Sequence, residues 1–130
     1  MRPVFCFSLF LAFAAGGSFQ TVAATAEPTP VMVGGEPDLD ACASTGIVAG
    51  LKPLPGNFLA VREGPGLGFT RVGELHLGDR VWLCDTRGDW MGIVYGEDCG
   101  VSTPKATRAP YTGPCASGWV SKRYIELEAG

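Results

Sequence analysis

Leu59-Ala60-Val61-Arg62-Glu63-Gly64-Pro65-Gly66 is the stretch of this 130-residue chain that decides its fold, because a short apolar run and two charged residues lead into a glycine and proline bend. Similar segments follow at Val72-Gly73-Glu74-Leu75, Leu77-Gly78-Asp79, Trp90 and Gly118-Trp119-Val120-Ser121. Short runs of β-branched and aromatic residues bounded by turn residues are typical of β-strands. No amphipathic run of helical length interrupts them, so the sequence predicts an all-β protein.

The strand pattern also predicts which side chains share a face. We expect strands at about 46–51, 59–62, 71–75, 80–85, 90–95, 118–121 and 125–127. Because side chains alternate along a strand, Val81 and Leu83 should lie on one face of the sheet, and Trp82 and Cys84 on the other. The segment 85–89 contains Gly88 and is expected to be a short turn that joins two strands into a hairpin.

The first 26 residues have the layout of a secretory signal peptide. Arg2 provides a positive start, an apolar run follows, and Ala24-Thr25-Ala26 is a small-x-small cleavage site. The apolar run is shorter than the ~20 residues of a membrane span, so we expect cleavage and no stable membrane anchor. The mature chain should begin at Glu27, or at Thr25 if Val22-Ala23-Ala24 is cut instead. The expected location is the periplasm or the extracellular space.

The remaining chain is long enough for one domain and too short for two. Residues 27–44 mix Pro, Gly and acidic residues without a periodic apolar pattern, which predicts a flexible N-terminal extension. Residues 45–130 should form the β domain. Within it, the Thr-, Pro- and Gly-rich segment 97–117 is far longer than an ordinary hairpin connection and is expected to be an inserted loop.

The four cysteines that follow the leader can pair in three ways. Cys99 and Cys115 lie near the two bases of the inserted loop, where antiparallel strands would bring them together. In the chain-entropy account, a bridge across this loop stabilises the fold by roughly 3 kcal/mol. Cys42 and Cys84 would then form the second bridge and fasten the N-terminal extension to the β domain. Two disulfides fit an oxidising compartment.

Composition argues against metal, cofactor and nucleic-acid binding. No two of these cysteines have Cys-x-x-Cys spacing, and the single histidine, His76, is distant from them in sequence, so no metal site is expected. Ten basic residues stand against 13 acidic ones, a net charge of −3, which disfavours contacts with phosphates. The glycines of 63–68 lack the Gly-Lys-Ser of a phosphate loop, and no cofactor is expected.

Few residues could carry out catalysis. A nucleophilic Cys-His pair would need a free thiol beside His76, and two disulfides would remove it. Asp85 and Asp89 could act as a carboxylate pair, but acidic residues beside a glycine are ordinary turn residues. We therefore expect no enzymatic activity.

The order and spacing of the motifs over 58–127 resemble those of bacterial SH3-like domains. The matching segments are 59–66, 72–75, 78–81, 88–90 and 118–125. This resemblance implies a small, partly open barrel of five to seven strands that binds peptides or cell-wall fragments. The chain departs from the family pattern at the inserted loop 97–117, which is normally a tight turn, and at the N-terminal extension that contains Cys42.

Aromatic side chains are the candidate ligand contacts, because extended peptides dock in aromatic-lined grooves. The candidate residues are Phe69, Trp90, Tyr95, Tyr111 and Tyr124. If Glu63, Asp85 and Asp89 lie near them, the ligand should be basic.

The predicted function is that of a monomeric, non-catalytic binding module for a peptide, a peptidoglycan fragment or another envelope protein. The alternative is a small structural or inhibitory protein that acts through the 99–115 loop, with Tyr111 at its tip, since stabilised loops on rigid scaffolds often carry function.

Overall fold

A computed structural model describes residues 3–4, 11–12, 14–18 and 26–130. Over 26–130 the chain is all-β, as the sequence predicts. The signal peptide expected at 1–26 falls largely outside the described residues and stays a prediction. Among the residues that are described, no helix is long and apolar enough to cross a membrane.

Eleven strands and one 3₁₀ turn are formed by the described part of the chain. They are β1 (Met32–Val33), β2 (Glu36–Asp40), β3 (Ser44–Val48), β4 (Leu59–Arg62), β5 (Arg71–Leu75), β6 (Arg80–Arg87), β7 (Trp90–Tyr95), β8 (Pro104–Lys105), β9 (Ala109–Pro110), β10 (Ala116–Ser121), the 3₁₀ turn (Lys122–Tyr124) and β11 (Ile125–Ala129). All seven predicted strands are present. β3 ends earlier than expected, since the chain bends at Gly50 with φ 77°. β6 runs on to Arg87, so that the hairpin loop is only two residues long.

Seven strands form one antiparallel sheet in the order β11-β3-β6-β7-β10-β4-β5. The sheet does not close into a barrel, because no pairing between β11 and β5 exists in the described residues. It is nevertheless strongly curved, since Leu75 of β5 and Ile125 of β11 pack on the same hydrophobic cluster although they lie at opposite ends of the strand order. Curvature rather than closure therefore buries the inner face.

The first hydrophobic cluster fills this inner face. Its buried members are Val48, Leu59, Val61, Leu75, Val81, Ile93 and Val120. The predicted alternation holds, because Val81 and Leu83 contact this cluster whereas Trp82 and Cys84 contact a second one on the outer face. Each buried aliphatic side chain of this kind contributes about 1.5–3 kcal/mol.

The outer face of β6, β7 and β10 is covered by the N-terminal extension and the inserted loop. The second cluster joins Val94 of β7 to Val33 and Val101, which come from these two segments. Trp119 of β10 is also completely buried, and its indole N–H donates to the carbonyl oxygen of Thr29 at 2.8 Å. We call residues 31–42 together with residues 99–115 the cap.

The expectation of a flexible 27–44 segment does not match the structure. β1 pairs with β9, and β2 pairs with β8, so the extension and the inserted loop form two small sheets with each other. The backbone N–H of Tyr111 donates to Val31 at 2.9 Å, and that of Cys42 donates to Val101 at 3.1 Å. The physical reason is burial: Val31 and Val33 are 3% and 4% exposed, Val33 packs with Val101 of the inserted loop, and Val31 lies against Gly92 of β7.

Two disulfides hold the cap in place, and they have the pairing that the loop geometry predicts. Cys42–Cys84 joins the extension to β6, and Cys99–Cys115 closes the base of the inserted loop. Cys42 and Cys99 are buried within the second cluster. Such bonds persist in oxidising compartments, so they indicate an extracytoplasmic environment.

Asp85 links the cap to the main sheet, and it is not the turn residue that the sequence suggested. Its carboxylate accepts hydrogen bonds from the backbone N–H of Met32 at 3.1 Å and from the guanidinium of Arg108 at 2.8 Å. The β6–β7 register shifts between Leu83 and Asp85, as at a β-bulge, where one extra residue is accommodated. A buried carboxylate with these partners joins both halves of the cap to β6.

The close approach of β10 to β4 requires a glycine at position 118. A Cβ there would lie 2.5 Å from Cγ1 of Val61 and 2.8 Å from the carbonyl oxygen of Arg62.

Gly118→Ala should lower the free energy of unfolding by roughly 1–3 kcal/mol, measured by urea denaturation. Gly68→Ala is the matched control, since nothing lies within 4 Å of a Cβ built there. Equal losses in the two variants would contradict the close packing at Gly118.

Candidate functional site

The five aromatic residues predicted as ligand contacts do not share one surface. Trp90 and Tyr124 line the same groove. Phe69, Tyr95 and Tyr111 lie elsewhere, and each of them has a contact within the fold that accounts for its position.

Tyr95 is a packing residue at the end of β7. Its ring contacts the first hydrophobic cluster, and its hydroxyl lies so close to Gly73 that a Cβ there would be 2.5 Å from it. Burial raises the pKa of the Tyr95 hydroxyl. Trp90 begins the same strand, five residues away along an extended chain, so Tyr95 does not reach the groove.

Phe69 shapes the bend that follows β4. Its ring packs directly on Gly64, where a Cβ would overlap the ring atoms. The guanidinium of Arg62 donates to the carbonyl oxygen of Phe69 at 3.0 Å and fixes the other side of the bend. The buried Gly64 therefore admits an aromatic ring rather than a phosphate group.

Tyr111 holds the inserted loop together. Its hydroxyl donates to the carbonyl oxygen of Cys99 at 2.7 Å and accepts from the backbone N–H of Cys115 at 3.1 Å. It thus bridges the two ends of the loop beside their disulfide, and it is not a free side chain at the tip. It also lines a cleft of about 570 Å³ in the cap.

The groove that contains Trp90 and Tyr124 has a volume of about 420 Å³. It lies between the loop that precedes β4, β4 itself, and the 3₁₀ turn that follows β10. Phe58, which directly precedes β4, is its third aromatic residue. Three cationic side chains also line it: Lys52, Arg62 and Arg123.

Backbone and side-chain hydrogen bonds fix the walls of this groove. The side-chain amide of Asn57 donates to the carbonyl oxygen of Lys52 at 2.8 Å and closes the loop between β3 and β4. The N–H of Ala49 donates to the carbonyl oxygen of Tyr124 at 2.9 Å, which ties the start of that loop to the 3₁₀ turn. Trp90 pairs with Ser121 across β7 and β10. The groove is therefore preformed by the sheet and its connections.

The groove is electropositive. No Asp or Glu is among its lining residues. The Arg123 guanidinium lies 5.7 Å from the ring centroid of Tyr124, and that of Arg71 lies 5.0 Å from the centroid of Phe58, so cations accompany two of the three aromatic rings.

The three acidic residues considered from the sequence do not line this groove. Asp85 is buried and paired with Arg108, and Glu63 lines a different depression. Asp89 lies in the exposed β6–β7 hairpin loop next to Trp90, and its carbonyl oxygen accepts from the N–H of Lys122 at 2.9 Å, but it does not line the groove. None of the three is among the lining residues of this groove, so they do not give it a preference for a basic ligand.

His76 lies in an exposed turn between β5 and β6. Its side chain is 60% exposed, and its backbone N–H donates to the Asp79 carboxylate at 2.7 Å. All four cysteines of the region 26–130 are in disulfides, so they offer His76 no thiol. In the described residues, no group of three or more His, Cys, Asp or Glu side chains is arranged to hold a metal ion.

The chain matches no family model, and neither a curated protein nor a solved structure is significantly similar to it.

Sequence reasoning identified two of the three aromatic residues of the groove and missed the third, Phe58, together with the cationic residues Lys52, Arg62 and Arg123. Phe58 stands beside the first predicted strand, and Arg123 stands beside Tyr124, so adjacency to known motifs could have indicated both. Lys52 carries no such signal, and Arg62 lies within the first motif without any sign that it faces a groove, because the loop and strand that bear them meet the 3₁₀ turn only in the folded chain.

The raised pKa of Tyr95 predicts a loss of stability at alkaline pH. The folded state holds this proton more tightly than the unfolded state, so stability is unaffected well below pH ~10 and falls as the pH rises above about 10. Tyr95→Phe should remove this part of the alkaline loss. Urea denaturation across that pH range measures it, and an unchanged alkaline slope in the variant would contradict the assignment.

Proposed function

We propose that this protein is a non-catalytic, SH3-like binding module that acts in the periplasm or outside the cell after removal of its signal peptide. Its ligand is a peptide, a peptidoglycan fragment or another envelope protein, and it binds in the groove lined by Phe58, Trp90 and Tyr124.

The observation that carries this proposal is the convergence of these three aromatic side chains in one preformed groove. Aromatic rings supply a large contact area for little conformational entropy and are enriched where proteins bind peptides and other proteins. Because hydrogen bonds already fix the walls, ordering the site costs little on binding.

The SH3-like assignment is supported by the order of the sequence motifs and by the strongly curved antiparallel sheet. The two departures from the family pattern, the extension and the inserted loop, are the segments that make up the cap. The absence of catalysis is supported by the disulfide pairing of the four cysteines and by the exposed turn that holds His76.

One observation favours the alternative, a structural or inhibitory protein that acts through the 99–115 loop. The cleft in the cap is lined by Tyr111 and by three prolines of this loop, Pro104, Pro110 and Pro114. A disulfide and the Tyr111 hydrogen bonds hold this surface in one shape.

Paired variants distinguish the two surfaces. Phe58→Ala with Tyr124→Ala should weaken binding at least about tenfold, since each truncation removes a buried aromatic contact. Pro110→Ala with Thr112→Ala, in the cap, should leave binding unchanged. Binding is measured by co-sedimentation with purified peptidoglycan, by retention of a solubilised envelope fraction, and on an array of synthetic peptides. Near-ultraviolet circular dichroism checks that each variant is folded.

The reverse pattern, with loss of binding only in the cap variant, would support the loop alternative and contradict the groove. Absence of binding by the parent protein in all three assays would contradict the binding-module proposal as a whole.

A further inference from the structure

The charges of this protein are distributed unevenly with respect to the groove. The chain has 13 acidic and ten basic residues and a net charge of −3. The groove nevertheless takes three of the basic residues and none of the acidic ones. An overall acidic protein thus presents a locally cationic, aromatic surface.

The three cations of the groove are not neutralised by the fold. Ion pairs elsewhere join Arg80 to Glu128 and Arg108 to Asp85. Across the described residues, no ion pair is formed by Lys52, Arg62 or Arg123. Arg62 uses one N–H for the Phe69 carbonyl oxygen, and a guanidinium has five donors. The groove therefore keeps unused cationic donors.

The chemistry of these donors selects the ligand. Ammonium and guanidinium groups donate hydrogen bonds and accept none, and ionised carboxylates accept without donating. Arginine also fits a carboxylate with two parallel hydrogen bonds. A glycan presents many hydroxyl donors, for which the groove side chains offer acceptors only at Asn57, Ser121 and Tyr124. A carboxylate-rich peptide matches the groove better than a glycan does.

We infer that the occupant of the groove is an extended acidic peptide segment of another protein, in which Asp or Glu side chains alternate with apolar ones. The carboxylates pair with Lys52, Arg62 and Arg123, and the apolar side chains pack on Phe58, Trp90 and Tyr124. This inference rests on the proposed function of the groove, which it makes more specific.

Three synthetic dodecapeptides test it, with the same Leu, Phe and Pro residues and with either Glu, Gln or Lys at four positions. Binding is followed by tryptophan fluorescence and by calorimetry in low and high salt. The Glu peptide should bind roughly tenfold more tightly than the Gln peptide, with the difference shrinking in high salt, and the Lys peptide should bind least.

Matched charge variants locate the effect. Lys52→Gln with Arg123→Gln should weaken binding of the Glu peptide roughly fivefold and leave binding of the Gln peptide unchanged. Lys105→Gln with Lys122→Gln makes the same change in net charge outside the groove and should leave both peptides unchanged. Arg62 is kept, since it also supports the bend at Phe69.

Each other outcome overturns the inference in a recognisable way. Equal binding of the Glu and Gln peptides would overturn the acidic ligand but leave the groove as a peptide site. If both double variants weakened binding of the Glu peptide equally, long-range attraction between net charges would explain the effect, and contacts in the groove would not. Binding of peptidoglycan but of no peptide would overturn the inference that the ligand is a peptide. Absence of any binding would overturn the proposed function itself. Concentration-dependent self-association that Lys52→Gln with Arg123→Gln abolishes would make a second copy the occupant, through its exposed acidic strand Glu36–Asp40.

Discussion

Covering the outer face of the sheet is the constraint on which the rest of this structure depends. Curvature buries the inner face of the seven-stranded sheet. Val94 and Trp119 lie on the other face, and they would be exposed to water if nothing covered that face. The extension and the inserted loop solve this by pairing with each other and packing on that face, where two disulfides and the buried Asp85 hold them. Two segments without regular patterns of their own thus form one cap, in which each small strand of one segment pairs with a strand of the other.

The cap and the groove are separate in their residues. None of the cap residues, 31–42 and 99–115, is among those that line the groove. The groove is formed by β4, the connections around it and the 3₁₀ turn, and aromatic and cationic side chains line it. This division fits a small extracytoplasmic protein, because disulfide-bonded segments supply stability while a different set of connections forms the groove proposed above as the binding site.

The strands and disulfides could be predicted because their signals are local. Alternation along 80–84 assigned each side chain to its face, and the positions of Cys99 and Cys115 at the bases of one loop indicated their bond. The cap could not be predicted, since β1 and β9 contribute two residues each and lie far apart in sequence. The groove was identified only in part for the same reason: Trp90 and Tyr124 stood out as aromatic residues, whereas the cations at 52, 62 and 123 meet only in the folded chain.

Native-state hydrogen exchange of the oxidised protein is the most direct test that the cap is one folded unit. The amides of Gly35, Cys42 and Tyr111 each donate to a backbone carbonyl across the cap. If the extension and the inserted loop form a single cooperative unit, these three amides should be protected and should share one free energy of opening. Exchange of Gly35 and Cys42 at the rate of an unfolded chain, while the amides of β6 and β7 stay protected, would show instead that the N-terminal segment is flexible and that the outer face is not covered.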